Sequence, residues 1–436
     1  EGIGVNWGRE ASHTLPPERV VELLKSNKIS GVKLLDADPQ SLRSLAGSGI
    51  PVTVGIPNSL LYSLNSSFKA AQDWVRENLT GFVSGRVLIE NVAVGDSPFL
   101  RSYGDQFHPL LVGAADNIQR AVSESNLGTK IKVVIPCDFN VFEFDSNLPS
   151  KTLIRSQVNS TMIRILTFLN LQKSPFFTAI SPFRILRDSD NFTLEFALFK
   201  ETPRQVNDTR RNYTNIFDLA YDAVLNALTA AGFPGMQIVV GEIGWPTDGA
   251  VNATPYIAQE FNSALINHLD SISTRPSKPS EVYIFSLLDE DERNTTGDDD
   301  DFERHWGIFT FDGQAKYELD LGRGTTKLTN ARDVRYLAAK WCVVDDNKDI
   351  SGAAVSLAAD ACAAADCSAL APGGSCFNLS WPGNLSYAFN SYYQRHDQDA
   401  GSCGFDGLGL ITTVDPSTDG CRFVIGINTS GSKSLL

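Results

Sequence analysis

Along the first three quarters of the chain, short runs rich in Val and Ile alternate with stretches whose apolar residues recur at helical spacing. The runs are Ile3–Trp7, Gly31–Leu35, Val52–Ile56, Val87–Val94, Ile131–Pro136, Phe176–Ile180, Gln237–Glu242 and Val282–Leu288. Helical periods are clearest over Pro17–Ser26, Phe68–Leu79, Leu110–Ser123, Ile216–Ala231 and Tyr256–Leu269. About eight strand–helix units over roughly 320 residues predict an α/β fold of the (β/α)8 TIM-barrel type. A doubly wound open sheet shares this alternation, but no Gly-rich phosphate loop follows any run, which favours the barrel. Past Tyr317 the pattern fades through Gly322, Gly324, Thr325 and Thr326, and Trp341-Cys342 opens a region of different character. The division expected is a barrel over 1–328, a linker over 329–339, a second, small disulfide-rich α+β domain over 340–425 and a polar tail over 426–436. In the second domain, Ser386–Arg395 reads as an amphipathic helix with Phe389, Tyr392 and Tyr393 on one side, and the tail from Asn428 reads as frayed.

Composition narrows the class. The 37 Lys+Arg against 51 Asp+Glu give a net charge of −14 over 436 residues, which leaves no field to attract nucleic acid or an anionic membrane. No apolar run approaches the length of about eighteen residues that a transmembrane helix requires. Cys137 stands alone, whereas Cys342, Cys362, Cys367, Cys376, Cys403 and Cys421 crowd into the last part of the chain. That density suits a stapled module in an oxidising compartment, and the paired C-x2-C spacing of a zinc site is missing. Glycosylation triplets open at Asn65, Asn78, Asn159, Asn191, Asn207, Asn212, Asn294, Asn378, Asn384 and Asn428, with Asn252 weakened by Pro255. The expectation is a secreted, extracellular glycoprotein whose first residues already read as a mature strand, with membrane anchoring open through a removed C-terminal signal.

The active site of such a barrel lies at the C-terminal strand ends. The seventh run ends in Glu242, held by Gly244, Trp245 and Pro246; the eighth ends in Asp289-Glu290, followed by Arg293, Glu303 and Arg304. Taken singly these are ordinary surface charges. Together, Gly2-Ile3-Gly4-Val5-Asn6-Trp7-Gly8-Arg9, Asp36-Ala37-Asp38-Pro39, Val54-Gly55-Ile56-Pro57-Asn58, Gly241-Glu242-Ile243-Gly244-Trp245-Pro246 and Phe311-Asp312-Gly313-Gln314-Ala315-Lys316-Tyr317 resemble plant endo-1,3-β-glucanases of glycoside hydrolase family 17. The final part is similar to the X8 domain, or carbohydrate-binding module family 43, through Trp341-Cys342-Val343, Ser386-Tyr387-Ala388-Phe389-Asn390, Tyr392-Tyr393-Gln394 and Thr412-Thr413-Val414-Asp415-Pro416-Ser417. The resemblance implies an open groove lined by Trp7, Asn58, Trp245, Glu290, Arg293 and Glu303, with Glu242 as the nucleophile of retaining β-1,3-glucan hydrolysis. Six cysteines allow fifteen pairings; the resemblance implies Cys342–Cys403, Cys362–Cys367 and Cys376–Cys421, with Cys137 free.

Three departures bear on activity. The family places its acid in V-G-N-E-V at the end of strand four, where this chain has Val94-Gly95-Asp96-Ser97-Pro98, so Ser97 occupies the acid position. A serine hydroxyl can neither protonate the leaving oxygen at ordinary pH nor serve later as general base. The family's Arg-x-Tyr-Asp is Lys33-Leu34-Leu35-Asp36 here, and its Asn-x-Tyr-Pro is Ala179-Ile180-Ser181-Pro182. Asp96 is a candidate surrogate acid, disfavoured because neighbouring strand residues face opposite ways. Glu290, on another strand, is a weaker candidate.

Other features keep plain readings. The acidic run Asp298–Asp301 lacks the alternation of a calcium loop. His13, His108, His268, His305 and His396 are scattered, so no metal and no cofactor is expected. Cys137 reads as a buried thiol. Trp381, Tyr387, Tyr392 and Tyr393 could stack on sugar rings or form core. The leading expectation is a monomeric cell-wall β-1,3-glucan-binding protein on a hydrolase scaffold. The alternatives are a working endo-1,3-β-glucanase using Asp96, and a non-enzymatic scaffold that binds other wall proteins.

Overall fold

The computed structural model describes residues 2–203, 205–209, 211–295, 300–350 and 352–429. Asp298 and Asp299 of the acidic run, and the tail beyond Thr429, lie outside the described residues. Eight parallel strands form one sheet: β1 Gly4–Trp7, β2 Val32–Leu34, β3 Val52–Ile56, β4 Ile89–Val94, β5 Lys132–Val134, β6 Phe176–Ala179, β7 Ile238–Ile243 and β8 Glu281–Ile284. They neighbour one another in the order β5-β4-β3-β2-β1-β8-β7-β6. A parallel bridge between Cys137 and Thr178 joins the two outer strands, with the Cys137 N–H donating to Phe177 O at 3.0 Å, so the barrel is nearly closed.

The strands are buried on both faces, which is why they read as near-continuous apolar runs. Ala93, Val134, Phe177, Val239 and Tyr283 fill a layer inside the barrel, while the outward residues pack under the helices in one large core. Helix starts follow local chemistry. Pro17 sits in the first turn of Pro17–Ser26; Asn215 accepts from Asp218 N at 2.7 Å ahead of Ile216–Ala230; Thr254 accepts from Ile257 N at 3.2 Å ahead of Pro255–Ser271. The helix predicted over Phe68–Leu79 is regular only to Val75, then widens into a π turn over Arg76–Thr80 that keeps Leu79 buried. Strand eight stops at Ile284, short of the predicted Leu288, because Ser286 to Asp289 turn to bond the segment Trp306–Phe309 instead.

The smaller domain pairs Trp341–Val344 (β9) antiparallel with Gly409–Thr412 (β10) and packs Ala354–Ala363 and Gly383–Arg395 on them. It carries two small cores of its own, one around Phe389, Leu385 and Tyr393, the other around Trp341, Cys376 and Phe423. Disulfides join Cys342 to Cys403, Cys362 to Cys367 and Cys376 to Cys421, and Cys137 is a buried free thiol. The segment read as a polar tail is tied down where it begins: Leu337 N donates to Gly426 O at 2.9 Å, and Asn428 N to Arg335 O at 2.6 Å. Among the described residues, no helix is long and apolar enough to cross a membrane.

Candidate functional site

At the mouth of the barrel, side chains from the strand ends converge. Asn6, fully buried on β1, donates to Gly241 O at 2.8 Å and accepts from Lys33 Nζ at 3.1 Å. The same Lys33 amine reaches Glu242 Oε1 at 3.3 Å, fixing the carboxylate at the end of β7. Lys33 is only 4% exposed, so this pair is screened far less than a surface ion pair. Ser97, Asp138, Ala179 and Glu242 line one small cleft with Lys33.

Asp96 and Ser97 lie beyond Val94, the last residue of strand four. Gly95 at φ +91° and Ser97 at φ +44° break the alternation, and the chain leaves the strand before side chains can be sorted to opposite faces. Asn58 clamps this turn, donating to Asp96 O at 2.6 Å and accepting from Asp96 N at 2.9 Å. Burial, followed by the negative charge of Glu242, raises the Asp96 carboxyl to about 6 against the pull of Lys33 and Arg293.

Asp138, one residue beyond the β5–β6 bridge, was not singled out in the sequence. Its Oδ2 accepts from Phe99 N at 2.8 Å, and the Ser97 hydroxyl lines the same cleft and favours its charged form. Burial above all, with the Glu242 and Asp96 charges adding, pushes it up to about 7 despite both influences. Burial also pushes the thiol of its neighbour Cys137 well above the usual range.

On the β8 side, Glu290 is 2% exposed and accepts from Glu10 N at 3.0 Å and Arg293 Nη1 at 3.4 Å. Gly8 is required there, since a Cβ would meet Glu290 Oε1 at 2.1 Å. Glu303 accepts from Arg184 and, at 3.3 Å, from Trp306 Nε1, and lies 3.9 Å from Arg293 Nη2. The structure therefore brings Asp96, Ser97, Asn58, Glu242, Glu290, Arg293 and Glu303 to one face of the barrel.

Several predicted sugar contacts are internal. Trp245 is fully buried and donates to Asn252 O at 2.9 Å, and Trp7 is 4% exposed, so both build the groove wall and offer no open face. In the smaller domain Tyr393 is core, Tyr387 packs edge-on against Phe423 and Tyr392 stacks on His396. Trp381 at 48% exposure is the open platform of that set, and Phe377, not foreseen, is exposed beside it in sequence. Among the sequons, Asn159, Asn191, Asn207, Asn212, Asn294, Asn378 and Asn428 are exposed, whereas Asn65, Asn78, Asn252 and Asn384 are half-buried. Among the described residues no group of three or more His, Cys, Asp or Glu could hold a metal ion.

The model of glycosyl hydrolases family 17 matches residues 3–321, and that of the X8 domain matches residues 340–410. The chain belongs to glycosyl hydrolase family 17. Among curated relatives in Arabidopsis thaliana it is 54% identical to glucan endo-1,3-beta-glucosidase 9 over 99% of this chain and 90% of that protein. It is 43% identical to glucan endo-1,3-beta-glucosidase 5, over 99% and 90%. Among solved structures it resembles CJP38, a beta-1,3-glucanase and allergen of Cryptomeria japonica pollen, with 35% identity and a TM-score of 0.69 over 74% of this chain and 100% of that one. A structure from a study of two plant beta-glucan endohydrolases with distinct substrate specificities matches at 29% identity and TM-score 0.67, over 73% and 100%. Both structural matches cover about the share of this family 17 chain that the barrel takes up.

Proposed function

We propose that this family 17 chain is a secreted cell-wall protein that binds β-1,3-glucan of the callose type and has lost, or nearly lost, the ability to cleave it. The carrying observation is Ser97: it stands at the acid position of the family motif, in the same small cleft as Glu242 and Asp138. Glu242 keeps its place and its Lys33 partner, so a nucleophile remains without the group that must protonate the leaving oxygen and later activate water. Leu35, Ala179 and Ser181 remove further hydroxyl and amide contacts to the sugar at the cleaved position, and Ser181 instead caps the helix Pro182–Arg187 by accepting from Arg184 N at 3.3 Å. The relatives named as glucan endo-1,3-beta-glucosidases, together with the retained groove residues Asn58, Glu290, Arg293 and Glu303, support glucan as the ligand. Sugar release from laminarin and retention on insoluble β-1,3-glucan, measured on the same preparation, test both halves.

A second reading has its own observation. Asp96 and Asp138 have carboxyls raised to about 6 and about 7, so each holds a proton at mildly acidic pH within the field of Glu242. Either could act as surrogate acid in slow hydrolysis. That reading requires turnover that falls as pH rises through the donor's pKa and that Asp96→Asn or Asp138→Asn removes.

A further inference from the structure

The smaller domain does not hang from the barrel by a free tether. The segment 329–337 lies along the barrel: Asn27 Oδ1 accepts from Thr329 N at 2.8 Å, Ala331 N donates to Gly313 O at 2.8 Å, and Tyr336 Oη donates to Asp312 Oδ2 at 2.7 Å. Beyond it, the domain seats on the loops that follow β1, β7 and β8, at the mouth where the groove residues converge.

The centre of this seam is His305. Its Nδ1 lies 3.2 Å from Asp289 Oδ2 of the barrel, and its Nε2 lies 2.6 Å from Ser368 Oγ and 3.7 Å from Asp366 Oδ2 of the module. Lys316 Nζ holds the other Asp289 oxygen at 2.5 Å, and Arg304 Nη1 reaches Asp366 Oδ1 at 3.3 Å. At the edges, Ser375 N donates to Asp248 Oδ1 at 2.8 Å, Arg395 Nη2 reaches Glu292 at 2.7 Å and His13 Nε2 reaches Asp397 at 2.6 Å. The docking loop is pre-shaped, because the Cys362–Cys367 bridge closes it and Ser368 donates back to Asp366.

Two short barrel segments face both ways across this seam. Asp289 points to His305 while the next residue, Glu290, accepts from Arg293 and Glu10 in the groove. Arg304 and His305 hold the module while the preceding residue, Glu303, bonds Arg184 and Trp306. Glu290 N donates to Arg304 O at 3.2 Å, tying the two segments together.

We propose that the Asp366–Ser368 loop is a positioning element for the groove: its docking on Arg304 and His305 fixes Glu290 and Glu303, so that barrel and module meet glucan as one rigid surface. This rests on the glucan-binding reading above. The network carries charges of both signs at low exposure, so removing one partner leaves its neighbours uncompensated rather than merely loosening a surface contact. Burial favours the neutral His305 ring, but the Asp289 hydrogen bond and the Asp366, Asp289 and Asp248 charges outweigh it and raise the ring to about 9, with Arg304 and Lys316 the cations alongside. A raised histidine contributes its docking fully at low pH and loses it as pH climbs through about 9.

The test uses the full chain as wild type, Asp366→Ala, Ser368→Ala and Asp366→Glu. Short laminari-oligosaccharides, too short to span both domains, are titrated at pH 6 and pH 10, and amide exchange is followed over 286–307. Docking of this kind predicts that Asp366→Ala weakens the oligosaccharide by about fivefold or more, speeds exchange at the Glu290 amide and at the Gly307 amide, which donates to Asp289 Oδ1 at 2.9 Å, and no longer responds to pH 10 as wild type does. Ser368→Ala gives a smaller loss in the same direction, and Asp366→Glu restores most of it. Unchanged affinity and unchanged exchange in Asp366→Ala, with its disulfides intact, would overturn the proposal while leaving glucan binding standing. If wild type binds no glucan, that reading fails separately, and exchange at Glu290 and Gly307 alone then decides the docking.

Discussion

At the scale of single residues, Ser97 stands where the family motif has its glutamate, and the Asp138 carboxyl lines the same cleft. Removing acid catalysis commonly costs about 10²- to 10⁴-fold, so laminarin hydrolysis is expected at least that far below an active relative, by reducing-end assay. Ser97→Glu alone should recover little, because Leu35, Ala179 and Ser181 remain and the new carboxyl would enter beside Asp138. An aryl β-glucoside whose leaving group needs no protonation separates the two lesions. Glu242 should form its ester with such a substrate and hold it, visible by intact-protein mass, and Glu242→Gln should not. Asp138 also predicts a pH trend opposite to that of a typical salt-bridged aspartate. Its folded pKa of about 7 lies above the unfolded value, so the folded state binds the extra proton, and stability falls as pH rises from about 4 to about 7. Asp138→Asn, which still accepts from Phe99 N, should raise the melting temperature at pH 8 and leave it nearly unchanged at pH 4. The carboxylate was invisible in the sequence because its partners, Phe99 and Ser97, come from another strand end, whereas Glu242 was legible from its own motif.

At the scale of elements, the eight strands were legible because each is buried on both faces and so reads as an apolar run whatever its partners. Their ends were less so. Strand eight stops early for a hydrogen-bonded detour that no local pattern encodes, and strand four turns at Gly95 where an alternation rule still expects a strand. The smaller domain depends on its bridges more than the barrel does, since its two cores are small. In the chain-entropy account the bridges closing 61 and 45 residues each contribute about 4 kcal/mol, and the one closing 5 residues about 2 kcal/mol. Cys376→Ser with Cys421→Ser should therefore melt the module at far lower temperature than Cys362→Ser with Cys367→Ser, by calorimetry. Glycan placement follows the same local logic. Asn78 spends its amide on Trp74 O at 2.9 Å and Asn65 lies against Gly113, so glycopeptide mapping should find both empty while Asn159 and Asn191 are occupied.

Across the whole molecule, two weak sites that meet one long polymer gain through effective concentration. The seam changes that picture, because a fixed module adds its Trp381 and Phe377 faces to the barrel without the entropy of a mobile linker. Nothing in the sequence announced it: His305 stood among five scattered histidines, and its partners lie 63 residues on at Ser368 and 16 residues back at Asp289. The full chain should bind long β-1,3-glucan more tightly than short oligosaccharide, since a long chain can reach both groove and module. The most direct measurement incubates the full chain with insoluble β-1,3-glucan and quantifies, in one tube, the protein retained and the sugar released. The account predicts strong retention with no sugar release above that of the Glu242→Gln variant. Robust release that Glu242→Gln abolishes, or no retention beyond that of an unrelated wall protein, would contradict it.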